Sequence, residues 1–449
     1  MFMTACVGSS GPTFAWAFVT WEGDIMEMKK ELAEAIVNPA SYKDFEKIHA
    51  VFSELRRTAP VALAKPKGFE PFWFISKFED VQAVEADNET FHAGDLPTVL
   101  VDAETNRLTI EEVGSPHRFL TLVQMDGEKH KAYRDLTASW FGPRSLRNLT
   151  PRIKKRMRQS LDSMLATGGE CDFARDIALL YPLRVIMDVL GVEEEAEELM
   201  LRFTQEVFGS SDAEANATGK SYATPEEQQQ AISEIAMEAF GYFSALTESR
   251  RQHPQDDLAS LLSNGTINGA SLGEVETFGY YAITATAGHD TTSNSTSAGM
   301  IALCEQPELL KRLQDDPLLI PDFVEESIRW ESPVKHFMRS ATRDAQIRGI
   351  DIKKNAWMMS SFASASRDED VYDNPFTFDI TRKPNRHMAL GYGPHVCLGQ
   401  HLARLEMRIF WEELLPRLKS VEMTGPVKRV GASFVSGPFS VPIKFKLKG

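Results

Sequence analysis

Cysteine is scarce in this chain. Among 449 residues there are four, Cys6, Cys171, Cys304 and Cys397, far apart and without a Cys-x-x-Cys spacing, which excludes a secreted disulfide scaffold and a zinc ribbon. A reducing compartment follows as the expectation, and with it a cytoplasmic location. Long apolar runs are missing too: Phe14 to Trp21 is followed closely by Glu22 and Asp24 and falls short of the roughly 20 residues a spanning helix needs. It lacks the positive leader of a signal peptide, so no membrane anchor is expected. Nor is there an excess of basic charge: the formal net charge is -15, which argues against nucleic acid as a partner, because phosphate binding needs clustered Lys and Arg. Internal repeats and low-complexity stretches are absent, so composition marks no domain boundary.

What the chain does have is the content of a globular protein, 43% hydrophobic and 25% charged residues, and a largely helical pattern. A helix is expected from Tyr42 to Thr58. The short apolar runs Val61 to Ala64 and Phe72 to Ile75, separated by Pro66 and Gly68, predict a hairpin. From Arg144 to Asn264 the apolar spacing is helical, as in Ile177, Leu180, Val185 and Val189. Ser271 to Leu303 contains no proline and predicts one long helix of roughly 45 to 50 Å, rich in small residues that let a partner approach the backbone. Val427 to Lys448 returns to short β-type runs broken by Gly431, Gly437 and Pro438. The fold class is mainly α with minor β, read as one domain over residues 41–449 after an extension over residues 1–40, of which the first ~25 are expected to order only by local docking.

The informative segment runs from His387 to Arg408. Gly391, Gly393 and Pro394 precede Cys397, and a periodic helix starts just after it. Glycines permit a tight turn against a flat cofactor, and the N–H groups of Leu398, Gly399 and Gln400, with the helix dipole, are expected to stabilise a thiolate. A thiolate of this kind is an axial ligand that pushes electron density toward iron-bound oxygen. Two other readings of Cys397 stand beside it: an inert buried cysteine, and zinc held with His395 and His401, for which a fourth nearby ligand is missing.

This segment resembles the cytochrome P450 signature, matched by Gly391, Gly393, His395, Cys397 and Gly399, with Leu390 where the family usually has Phe. Three further segments fit the same family. Ala287, Gly288, His289, Asp290 and Thr291 resemble its oxygen-activating motif: Ala287 and Gly288 would open room beside the iron, and Asp290 and Thr291 would handle protons so that one oxygen atom leaves as water. Thr291, four residues after Ala287, can bond that carbonyl and disturb the helix locally; His289 is read as structural. Glu326 and Arg329, with Arg382 farther on, resemble the family's buried structural cluster. His130 with Arg134, Arg339 and His395 match its propionate-binding positions, since carboxylates call for such partners.

The resemblance extends from about Tyr42 to Phe445 and implies the family's fold, a triangular prism of helices with small sheets and haem b between the long helix and the cysteine loop. Runs starting at Ala285, Phe378 and Cys397 look especially like the bacterial alpha-terpineol monooxygenase group. That implies hydroxylation of a small hydrophobic substrate, a monoterpenoid or an alkylated or polycyclic aromatic hydrocarbon, by a monomer using O₂. Electrons would come from a [2Fe-2S] ferredoxin and its flavin-containing reductase, because no reductase domain is expected within the chain. Lys129, Lys131, Arg144, Arg404 and Arg408 could form the docking patch. Pocket walls are expected from Gly94 to Gln124, Phe203 to Ser211, Ile283, Ala287, Val334 to Phe337, and Phe434 to Val435. A peroxide-using peroxygenase and a non-enzymatic haem sensor or carrier remain as alternatives, the first needing no Asp290–Thr291 pair and the second no oxygen-activation groove.

Overall fold

The computed structural model describes residues 26–207, 214 and 222–448. The expected hairpin forms with the expected ends: Val61–Ala64 pairs antiparallel with Phe72–Ile75, Val61 opposite Ile75 and Ala64 opposite Phe72. All eight residues are buried, because the sheet is covered on both faces. Phe72 and Phe74 enter one apolar cluster with Met338, Trp357 and Met359. Trp73 and Ile75 enter a second with Val61, Leu63 and Met358, as the two-residue period of a strand requires. The sheet continues through Trp357–Ser361, His336–Ala341 and Phe91–His92, and Trp357–Ser361 runs parallel to the hairpin's second strand.

Residues 1–25 lie outside the described residues. The rest of the expected extension is not loose. Lys30–Val37 is a helix whose Leu32, Ala33, Ile36 and Val37 are buried in the cluster beneath the sheet. Its apolar face, at i, i+1, i+4 and i+5, was reason enough for docking. The helix expected from Tyr42 begins at Phe45, capped by the Asp44 side chain on the Lys47 N–H, after a 3₁₀ turn over Pro39–Lys43.

The larger, helical part of the core is built by Pro143–Ala166, Leu180–Leu190, Pro225–Gln252 and their neighbours around Tyr181, Phe410 and Trp411. A three-stranded sheet of Leu418–Met423, Pro442–Leu447 and Glu170–Asp172 closes it. The single long helix expected over residues 271–303 is two segments, Glu274–Ala287 and Asp290–Glu305, interrupted at Gly288 and His289. The interruption has a local cause: the Thr291 hydroxyl donates to the Ala287 carbonyl at 2.8 Å, and the His289 backbone (φ -92°, ψ -81°) leaves the helical region. Ser271 belongs instead to a two-residue strand paired with Thr266.

Candidate active site

Cys397 lies between a 3₁₀ turn at Gly393–His395 and the helix Gln400–Leu414, and its N–H donates to the Leu390 carbonyl at 2.8 Å. Gly391 (φ +70°) and Gly393 (φ +64°) take left-handed backbone that favours glycine. Gly393 is further constrained because a Cβ there would stand 2.3 Å from the Glu85 carbonyl oxygen, so helix Phe78–Ala86 packs directly on the turn. Leu390 packs against the helical core.

Burial pushes the Cys397 thiol above its ordinary value, and the Gly399 N–H, Arg134 and Arg404 act in the opposite direction. Here the expectation needs correcting: of the three N–H groups expected at the sulfur, Gly399 alone contributes, while the Gln400 N–H turns to the Cys397 carbonyl. Metal coordination at this sulfur would favour the thiolate, since a thiol bound to a metal is deprotonated outright. Among the described residues, no three His, Cys, Asp or Glu side chains converge as metal ligands, so Cys397, His395 and His401 do not form a zinc site.

Beside the cysteine turn, four basic side chains are gathered from three separate segments. His130, on helix Gly127–Ala138, stacks on His395 with ring centroids 4.1 Å apart. Both have a buried Nε2 without a partner, and the His395 Nε2 is 3.8 Å from the nearest Asp126 oxygen. Burial, with His395 and Arg134 nearby, lowers His130 to about 4, so it is neutral at physiological pH. Arg134 donates to the Val396 carbonyl at 2.7 Å, and Arg339 comes from the central sheet. Two orphaned imidazole nitrogens with two guanidinia are a donor set suited to carboxylates, and haem carries two of these as propionates.

The helix interruption carries the second group of residues. Burial raises the Asp290 carboxyl above its ordinary value, opposed by His289 and by Gln205, whose amide lies 3.0 and 3.1 Å from the two carboxylate oxygens. His289 is fully buried, with Nδ1 3.1 Å from the Thr204 hydroxyl and Nε2 donating to the Leu179 carbonyl, which agrees with a structural role. A Cβ at Gly288 would meet Ile186 at 2.8 Å. Thr292 donates to Glu406 at 3.2 Å and so ties this helix to the one that follows Cys397.

The loops expected as pocket walls are partly joined. Val334 bridges Val435, the Phe337 and Phe434 rings are 5.3 Å apart, and His336 accepts from the Leu100 N–H while donating to the Ser433 carbonyl. Phe208 to Ser211 lie outside the described residues. Elsewhere, Arg329 forks onto Glu326 with two bonds of 2.7 Å. Arg382 reaches the same carboxylate at 3.2 Å, and both it and Arg329 donate to carbonyls between Ser366 and Thr377.

The comparisons with known proteins meet this geometry. The family profile of cytochrome P450 matches residues 40–431. The chain belongs to the cytochrome P450 family. As a P450 it is a haem-thiolate monooxygenase. It is 42% identical to cytochrome P450-terp of a Pseudomonas species over 418 residues, covering 93% of this chain and 97% of that one. It is 30% identical to the mycinamicin IV hydroxylase/epoxidase of Micromonospora griseorubida, over 90% of this chain and 98% of the relative. The crystal structure of CYP108D1 from Novosphingobium aromaticivorans superimposes with a TM-score of 0.88 at 39% identity, covering 94% of this chain and all of that one. The P450 of Mycobacterium marinum crystallised with pseudoionone gives 0.81 at 28% identity, covering 96% of this chain and 100% of that chain. These P450s share with this chain the mainly α fold with small sheets. Among the described residues no helix is long and apolar enough to cross a membrane.

Sequence reasoning did not find Glu85, Asp126 or Glu406, and had Gln205 only as one unnamed position of the Phe203 to Ser211 wall. Each is a single polar residue in an ordinary helix or turn, and only the packing of distant segments brings it to the site.

Proposed function

We propose that this P450 hydroxylates a small hydrophobic substrate, a monoterpenoid such as alpha-terpineol or an alkylated or polycyclic aromatic hydrocarbon, with electrons from a [2Fe-2S] ferredoxin and its flavin-containing reductase. It acts as a cytoplasmic monomer whose single domain spans residues 41–449, with helix Lys30–Val37 docked on it. The substrate assignment is supported by the 42% identity with P450-terp over nearly the whole chain and by the aromatic and aliphatic side chains of the wall loops, which suit a ligand oriented by shape.

In this reading Cys397 would hold the haem iron through its sulfur. Gly391, Gly393 and Gly399 would let the backbone approach the cofactor closely, and His130, Arg134, Arg339 and His395 would hold its propionates. The haem, when bound, activates O₂ for insertion of one oxygen atom into a C–H bond. Ala287, exposed at the break, would leave room for the cofactor, whereas Gly288 is required by the packing of Ile186; Asp290 and Thr291 would supply protons from the protein side. Glu326, Arg329 and Arg382 fix the loop that leads to the cysteine. The observation that carries the reading is the break in the long helix. It brings a half-buried acid and a hydroxyl together at the start of a helical segment, an arrangement that a peroxide-using enzyme or a haem carrier does not need.

Docking of the ferredoxin falls to the exposed Lys129 and Arg144. Lys131, Arg404 and Arg408 are each engaged by a carboxylate of their own chain, Asp135, Glu325 and Glu412. The test is turnover of a panel of monoterpenoids and alkylarenes with NADH, reductase and ferredoxin, read by mass spectrometry. Hydroxylated product that depends on ferredoxin is expected. Product formed equally well with peroxide alone, or none from the whole panel, would overturn the reading.

A further inference from the structure

The haem side of the site holds two acids for which no signature position accounts, Asp126 beside His395 and Glu85 beside Arg339. Glu85 lies in the last turn of helix Phe78–Ala86. It is 2% exposed, forms an ion pair with Arg339 and has a buried Oε1 without a hydrogen-bond partner. A carboxylate removed from water keeps its charge only against a compensating cation, and Arg339, itself 3% exposed, is that cation. Neither group can drift. The Glu85 carbonyl is pressed on Gly393, and Arg339 is fixed in the sheet opposite Met358.

Arg339 is also one of the two guanidinia, with Arg134, in the set that suits propionates. A guanidinium has five N–H donors. One nitrogen of Arg339 serves the Met338 carbonyl and another serves Glu85, which leaves donors for a second carboxylate. Arg339 thus stands between an internal acid and the cofactor's acid. We propose that Glu85 is an electrostatic tuning residue of the haem: by engaging part of the Arg339 guanidinium it lowers the positive charge offered to a propionate, which loosens cofactor retention and holds the ferric state against reduction. The inference rests on the assignment of Arg339 to the haem.

The test uses the full-length holoprotein with Glu85→Gln, which keeps size and removes charge. Two quantities are read: the midpoint potential without substrate, and the rate of haem transfer to excess apomyoglobin. Loss of one buried unit charge, screened by an effective dielectric of about 20, is expected to shift the reduction equilibrium about three- to tenfold toward the ferrous form, tenfold being about 59 mV for one electron. Haem transfer is expected to slow severalfold. A merely structural Glu85 gives the opposite pattern, faster haem loss at an unchanged potential, and that result overturns the proposal. Glu85→Asp, which withdraws the carboxylate by one methylene, is expected to move both quantities about twofold in the same direction; should the Gln variant not fold, an unchanged potential in the Asp variant overturns the proposal instead. Arg339→Gln separates the two claims. Unchanged haem transfer in that variant refutes the assignment of Arg339, whereas fast transfer there with no change in Glu85→Gln refutes the tuning alone.

Discussion

Replacing Glu326 by alanine removes the carboxylate that faces both Arg329 and Arg382. Glu326 and Arg329 have 0% side-chain exposure and Arg382 has 8%, so water cannot take over the lost interaction. The same carboxylate also accepts from the Asp379 N–H at 2.8 Å and from the Asn385 amide at 2.9 Å. Breaking a buried pair by removing one partner costs about 3–5 kcal/mol, because the surviving charge stays uncompensated. With a urea slope of about 3 kcal/mol per molar or more for a chain this long, the unfolding midpoint is expected to fall by about 1 M. The comparison is Asp315→Ala, which breaks the Lys311–Asp315 pair whose side chains are 76% and 63% exposed; surface pairs of this kind contribute about 0–1 kcal/mol. Both variants are followed by far-ultraviolet circular dichroism and by the Soret band in one urea series. Equal midpoints for the two variants would refute the argument that burial, and not charge pairing as such, gives Glu326 its role.

Thr291→Ala is expected to keep NADH consumption but divert it, raising hydrogen peroxide and lowering hydroxylated product per NADH, because the hydroxyl on the Ala287 carbonyl is lost; an unchanged ratio contradicts this. Gly393→Ala should give little haem-loaded protein on purification, since the Cβ meets a backbone oxygen at 2.3 Å and the left-handed φ costs about 1–2 kcal/mol more; normal haem content would contradict it. Burial pushes the Glu325 carboxyl up, but Arg404 and His387 more than offset this and bring it down to about 2. A depressed carboxyl stabilises the fold above its unfolded value and loses that contribution as pH falls through the folded one. Glu325→Gln should therefore destabilise the protein at pH 7 and converge with the parent toward pH 2, as acid titrations in urea will show. Charge reversal at Lys129 and Arg144 should slow reduction by ferredoxin more than reversal at the paired Lys131; equal rates remove the docking assignment.

Much of this was legible in the sequence because the informative residues are local. The Gly-x-Gly-x-His-x-Cys-x-Gly spacing, the Ala287 to Thr291 run and the Glu326–Arg329 pair each lie within one turn or two of helix. The hairpin at Val61–Ala64 and Phe72–Ile75 was marked by its breakers. The break at Gly288 and His289 was only half legible: Thr291 announced a disturbance, but the absence of proline suggested one continuous helix. The apolar face of Lys30–Val37 was legible in its spacing, but where it docks was not, because Phe72 and Phe74 of the same cluster lie some forty residues on. Glu85 had no local signal at all. Its meaning depends on Arg339, 254 positions away.

The claim that Cys397 holds the iron as a thiolate is tested most directly by the visible spectrum of the purified, dithionite-reduced protein under carbon monoxide, recorded with Cys397→Ser beside it. The Soret position reports the axial ligand. The account predicts the long-wavelength band from which the family takes its name in the parent protein and its loss in the serine variant; folded parent protein that binds no haem, or that shows the short-wavelength band of a haem without a thiolate ligand, would contradict it.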